Sequence, residues 1–169
     1  MMQVTLRALE PEDLDLLYSI ENERDLWDVS TTNVPYSRYI LYEYISKSSG
    51  DIYADGQVRL IIENEDKETI GIVDLTNFDS RNQRAELGII LEKPYRYKGY
   101  GSAVIKQITD YCTRILHLHQ IYAIIDTLNT SSISLFKKNS FVQSAILHEW
   151  LYDGITYRDA FVFQKTLVH

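Results

Sequence analysis

The sequence predicts an α/β fold with a central mixed sheet, mainly antiparallel, of about seven strands flanked by about four helices. Three observations predict it. Seven short runs alternate apolar and polar residues or are dense in β-branched and aromatic ones, as strands are. Four stretches between them carry apolar residues at helical spacing. One strand–helix–strand segment, residues 85–126, supplies the long crossover that a parallel pair requires.

The elements follow in order. QVTLRA (3–8) alternates as a half-buried strand does, and EPEDLDLLYSIEN then reads as a helix with Pro11 and its acids in the first turn. A second helix is expected from Ser37 to Lys47, on the spacing of Tyr39, Ile40, Tyr44 and Ile45. QVRLIIE (57–63), TIGIVDLTNF (69–78) and RAELGIILE (84–92) are separated by short polar patches and read as an antiparallel meander. Val104, Ile105, Ile108, Cys112, Ile115 and Leu116 make one apolar face of the main helix. QIYAIID (120–126) reads as a buried strand, and SSISLFKKN as a short helix with Ser131 or Thr130 as cap. FVQSAILHEWL and ITYRDAFVFQKTL flank the turn Tyr152-Asp153-Gly154 and close the chain as a hairpin.

At 169 residues the chain fits one domain, 1–169, and no linker or repeat divides it. A hydrophobic share of 45% with 24% charged residues is the balance of a soluble globular protein, and no apolar run approaches a membrane span. The N-terminus shows no signal core, and the single cysteine excludes an internal disulfide framework, so a cytoplasmic location is expected. The net charge of −7 disfavours nucleic acid and suits cationic partners.

Against that acidity, the turn EKPYRYKGYGS (92–102) is basic and glycine-bearing, and it opens the main helix. A helix N-terminus presents unpaired N–H groups and partial positive charge, and glycines let a phosphate approach them. Arg96 and Lys98 add charge at the rim. A Walker loop would need Gly-Lys-Ser/Thr, where this chain has Gly-Tyr-Gly-Ser. A dinucleotide fingerprint would need a third glycine where Val104 stands.

Arg96-x-x-Gly99-x-Gly101 resembles the Arg/Gln-x-x-Gly-x-Gly/Ala signature of the GNAT acyltransferases, placed as there between the fourth strand and third helix. Asn129-x-x-Ser132 with Phe136-x-Lys138-x-x-Phe141 resembles the family's second signature. Arg84-Ala85-Glu86, Leu147-x-Glu149 and Gly154…Tyr157-Arg158-x-Ala160 are similar to the bacterial branch of spermidine/diamine and ribosomal-protein N-terminal acetyltransferases. The resemblance implies a GNAT fold with strands four and five splayed, and acetyl-CoA as co-substrate. It further implies a primary-amine acceptor, either a polyamine-like small molecule or a peptide N-terminus, and a homodimer. The pyrophosphate is expected on Arg96, Tyr97, Lys98, Gly99, Tyr100, Gly101 and Ser102. The pantetheine is expected along Ile89, Ile90 and Leu91, with Asn129, Phe136 and Lys138 on its other side. Asn129 reads equally as a cap or turn residue.

The amine must lose a proton before it attacks. Glu86 is one candidate base; its alternative is an outward strand residue paired with Arg84 or Arg158. Glu149 is the other candidate, as base or as a cation contact, in a setting that Leu147, Trp150 and Leu151 make partly buried. Glu21, Glu23 and Trp27 suit the wall of a pocket for an ammonium group, or a solvated helix end. Phe136 departs from the family, which places a proton-donating tyrosine there; Tyr95, Tyr97, Tyr100 and Tyr122 are near in sequence. The departure leaves the acid unassigned and opens a third reading, a CoA-binding module with little catalysis. Cys112 reads as a buried structural thiol, and His117 with His119 lacks a third ligand, so no metal site is expected.

Overall fold

The computed structural model describes residues 2–23 and 34–168. Trp27 lies outside the described residues. The elements are β1 (Val4–Ala8), α1 (Leu14–Glu21), α2 (Arg38–Lys47), α3 (Ile52–Asp55), β2 (Val58–Asn64), β3 (Thr69–Asp79), β4 (Arg84–Leu91), α4 (Tyr100–Arg114), β5 (Gln120–Asp126), α5 (Thr130–Lys138), β6 (Val142–Tyr152) and β7 (Tyr157–Thr166). Single 3-10 turns, Pro11–Asp13 and Lys93–Tyr95, precede α1 and follow β4.

Seven strands form one sheet in the order β1-β2-β3-β4-β5-β7-β6. β4 and β5 run parallel, and every other neighbouring pair is antiparallel. The crossover expected over 85–126 is therefore α4. Adjacent residues of β2 and β3 point to opposite faces, so Ile61 and Ile72 pack with Leu17, Ile20, Leu41 and Ile45 of α1 and α2. Ile62 and Val73 join Val104, Ile105 and Ile108 of α4 in the larger core. Both faces of these strands are covered, which is why they read as near-continuous apolar runs.

Three local expectations are corrected. α3 was not foreseen, because four residues carry no periodicity; its ends are ordinary turn chemistry, Asp51 accepting from the Tyr53 N–H at 2.9 Å and Gly56 left-handed at φ 69°. The cap of α5 is Asn129, whose Oδ1 accepts from the Ser132 N–H at 3.2 Å, and neither Ser131 nor Thr130. The partly buried setting expected around Glu149 is met only at Leu147 and Leu151, which are half-buried. Glu149 itself and Trp150 are exposed, because β6 is the edge strand of the sheet and exposed along nearly its whole length.

Candidate active site

The pairing of β4 with β5 covers Arg84–Glu86 against Gln120–Tyr122 and then stops. β4 remains paired to β3 as far as Leu91, and β5 to β7 as far as Asp126. A wedge opens between them, its closed end at Glu86 and Tyr122. Past Glu86, backbone N–H and C=O groups of β4 have no strand on the β5 side, and an amide-bearing arm can bond them as an added strand does. Ile89, Ile90 and Leu91, all half-buried, form that stretch.

The wedge leads to the head of α4. The turn before it uses left-handed backbone at Tyr97 (φ 60°) and at Gly99 (φ 97°), the N-cap. The first intrahelical bond is Ala103 N–H to Gly99 C=O, so the N–H groups of Tyr100, Gly101 and Ser102 lack helical acceptors, and no side chain caps the turn. This is the local structure an anion requires. Arg96 braces the turn: its Nε donates to Leu91 C=O at 2.8 Å and its Nη2 lies 3.6 Å from Glu23. Tyr97 stands out in solvent at 90% exposure, whereas Tyr100 is buried with its hydroxyl 3.3 Å from Glu65. Gly101 has a packing reason as well, since a Cβ there would sit 2.9 Å from Cδ2 of Leu135 in α5.

From Gly99 and Ser102 a groove of about 790 Å³ runs along α4 to the C-terminal end of α5. Among the described residues, Lys98, Lys106, Lys138 and Lys165 line it against a single acid, Asp110. Asn139 bridges its walls, donating from Nδ2 to Ser102 Oγ at 3.1 Å and accepting on its C=O from Lys165 Nζ at 3.0 Å. Sequence reading found Lys98 and Lys138 but missed the other two lysines. Lys106 was findable, four residues beyond Ser102 on the same helix face. Lys165 comes from the last strand and had no local signal.

Of the two candidate carboxylates, Glu86 lies at the closed end of the wedge. Its expected alternative partners are engaged elsewhere: Arg84 pairs with Asp79 at 3.1 Å, and Arg158 with the buried Asp126 at 2.7 Å. Instead the Nδ2 of Asn77 donates to Glu86 Oε2 at 2.7 Å. Asn77 has φ 48° where β3 bulges between Thr76 and Asp79, and the bulge turns its amide toward β4. Glu149 also sits on irregular backbone, at φ 51° between Leu147 and Leu151, and its N–H donates to Asp159 at 2.8 Å. Its carboxylate is exposed, between the exposed His148 and Trp150.

The acids at the end of α1 are held by cations. Glu21 and Asp74 both engage Arg59, with Asp74 bidentate at 2.7 and 2.8 Å. Glu23 meets Lys93 at 3.2 Å and Arg96, tying α1 to the turn before α4. Phe136 is buried and stands edge-on to Phe141 with centroids 4.8 Å apart. Burial pushes the Cys112 thiol up to about 12, so it stays protonated inside the core.

Residues 3–142 match the family model for an acetyltransferase (GNAT) domain. The chain belongs to the GNAT family. A spermidine N(1)-acetyltransferase from Vibrio cholerae serotype O1 is 29% identical over 157 residues, covering 93% of this chain and 89% of that protein. The spermidine N(1)-acetyltransferase of Escherichia coli strain K12 is 30% identical over 158 residues, covering 93% and 82%. A crystal structure of the Vibrio cholerae enzyme in complex with CoA and spermine superposes with a TM-score of 0.87 over 97% of this chain and 95% of that one. Within this GNAT fold the splayed strands are β4 and β5, and the protein is an acyl-CoA-dependent N-acetyltransferase with acetyl-CoA as co-substrate.

Proposed function

We propose that this acetyltransferase acylates a primary amine of a polyamine, with Glu86 removing the amine's proton. The observation that carries the reading is the half-finished β4–β5 pairing, which leaves an open wedge whose closed end holds a carboxylate paired with no arginine among the described residues. The uncapped head of α4 and the lysine groove fit the phosphates of the donor, and the β4 backbone from Ile89 to Leu91 fits its amide-bearing arm. An N–H of that edge would polarise the thioester carbonyl. Glu149 is assigned as a contact for a distal ammonium group and not as the base, because it is exposed on the bulge of β6. Net charge −7 favours a polycation at long range, and both spermidine-acetylating relatives support the acceptor class over a peptide N-terminus.

The whole of residues 1–169 is assigned to one acetyltransferase domain, in keeping with the single seven-stranded sheet. A lone buried thiol suits the reducing cytoplasm. A homo-oligomer is the working form proposed, one structure of the Vibrio cholerae relative being dodecameric.

CoA release measured across spermidine, spermine, putrescine, amino acids and N-terminal peptides tests the acceptor. Turnover is expected with the polyamines and at most trace rates with peptides; turnover confined to peptides would overturn the assignment. Glu86→Gln is expected to lower kcat by 10²-fold or more, the range of a lost general base, with little change in KM for acetyl-CoA. Unchanged kcat would remove Glu86 from the chemistry.

A further inference from the structure

A primary amine that attacks a thioester gives up one proton, and the departing thiolate gains one. Phe136 offers none, since its ring is buried against Phe141. The four tyrosines near the wedge in sequence do not stand alike in the fold. Tyr95 directs its hydroxyl to Glu68 at 3.2 Å, and Tyr100 directs its own to Glu65 at 3.3 Å, both toward the β2–β3 turn. Tyr97 points into solvent.

Tyr122 is different. It is the register partner of Glu86 in the last pair before β4 and β5 separate. Paired residues of neighbouring strands point to the same face about 5 Å apart. Ile121, Ala123 and Ile125 enter the core beneath α4, so Tyr122 faces the other side of the sheet, with Glu86. The ring is half-buried, and its hydroxyl has no hydrogen-bond partner among the described residues. Among the described residues Glu86 is engaged at Oε2, by Asn77, and not at Oε1.

We infer that Tyr122 is the proton donor to the departing CoA thiolate, working as a relay with Glu86 and replacing the tyrosine that position 136 lacks. The inference rests on the reading of Glu86 as the base. The amine enters the attack as the free base, its ammonium proton already lost to solvent. Its nitrogen forms the new C–N bond and passes one N–H proton to Glu86 as the C–S bond breaks. The Tyr122 hydroxyl gives its proton to sulfur, and the protonated Glu86 carboxyl restores it to the phenolate. Net, one proton has moved from nitrogen to sulfur and both side chains are reset.

The relay answers an objection to a lone phenol. A free phenol titrates near ~10 and a free thiol near ~8.5, so tyrosine alone would protonate a thiolate uphill. With Glu86 newly protonated beside it, the net transfer runs from a carboxylic acid to a thiolate, which is downhill. Burial first, and the Glu86 charge second, push the Tyr122 phenol above its usual value, so it enters each cycle protonated.

The test is Tyr122→Phe, assayed with spermidine and acetyl-CoA beside the wild type, E86Q and the Y122F/F136Y double variant. Y122F is expected to lose about 10²-fold in kcat, the scale of a general acid, while KM for acetyl-CoA and the thermal midpoint hold. F136Y in that background, checked to be folded, is expected to recover at least tenfold by supplying a phenol from the other side of the wedge. A kcat for Y122F within twofold of wild type, or no recovery in the folded double variant, would overturn the inference while leaving an active, Glu86-dependent enzyme in place. A wild type inert toward every amine would instead bring down the parent reading.

Discussion

Single residues show how the chain holds charge where it has little water. Asp13 is buried, and its carboxylate accepts from Arg7 at 2.8 and 2.9 Å and from the Glu10 N–H at 2.8 Å. Burial alone would raise its pKa, but the bonds from Arg7 and Glu10 and the Arg7 charge override it and hold the carboxyl below the usual aspartate range. A depressed folded-state pKa contributes stability that is present above the unfolded value, ~3.9, and is lost as pH falls through the folded value. Asp13→Asn is therefore expected to cost about 1–3 kcal/mol at neutral pH, since it removes the charge-assisted bonds from Arg7, which keeps its pair with Glu63. It should also flatten the acid limb of the stability curve; urea titrations at neutral and acid pH would show both, and an unchanged acid limb would refute the assignment. Residue-level reading of the sequence named Glu86 but left its partner open between Arg84 and Arg158. The structure gives it Asn77, since both arginines answer to nearer acids.

Among the elements, the close approach of β3 to β4 is set by one glycine. A Cβ on Gly71 would stand 2.2 Å from the carbonyl oxygen of Ile90 and 3.0 Å from Cα of Leu91, both backbone atoms that cannot swing aside. Gly71→Ala must push β4 away where the donor's arm is proposed to lie. The expected result is a loss of about 1–3 kcal/mol in a denaturant titration, the usual cost of overpacking, with a raised KM for acetyl-CoA. A variant of wild-type stability would show that β3 and β4 do not pack this closely at Gly71. The seven strands and the four longer helices were legible because each repeats at period 2 or near 3.6. α3 was not, being one turn long, and neither were the bulges at Asn77 and Glu149, which depend on what the partner strand presents. The edge position of β6 was equally hidden. Its apolar residues, Val142, Ile146 and Trp150, look like core residues in sequence and stand in solvent in the fold.

For the molecule as a whole, charge is divided by function. Net charge is −7, yet four lysines gather in one groove at the head of α4, where a phosphate-bearing donor would meet them. Acetyl-CoA at a hundred times its Kd should stabilise the fold by about 2.7 kcal/mol, roughly 5–10 °C in Tm for a domain of this size. Lys106→Ala with Lys165→Ala should cut that shift at the same ligand concentration; an undiminished shift would remove the groove from the donor site. The sequence by itself determined the order of the seven strands and four longer helices, the basic glycine turn before the main helix and the family. These rest on local periodicity and on residues within a few positions of one another, which one-dimensional spacing records. Only the tertiary structure decided where β4 and β5 part, that Glu86 and Tyr122 share the closed end of that wedge, and that Lys165 joins Lys98 sixty-seven residues away. Those depend on which strands become neighbours and in what register, and that is set by the packing of the whole sheet.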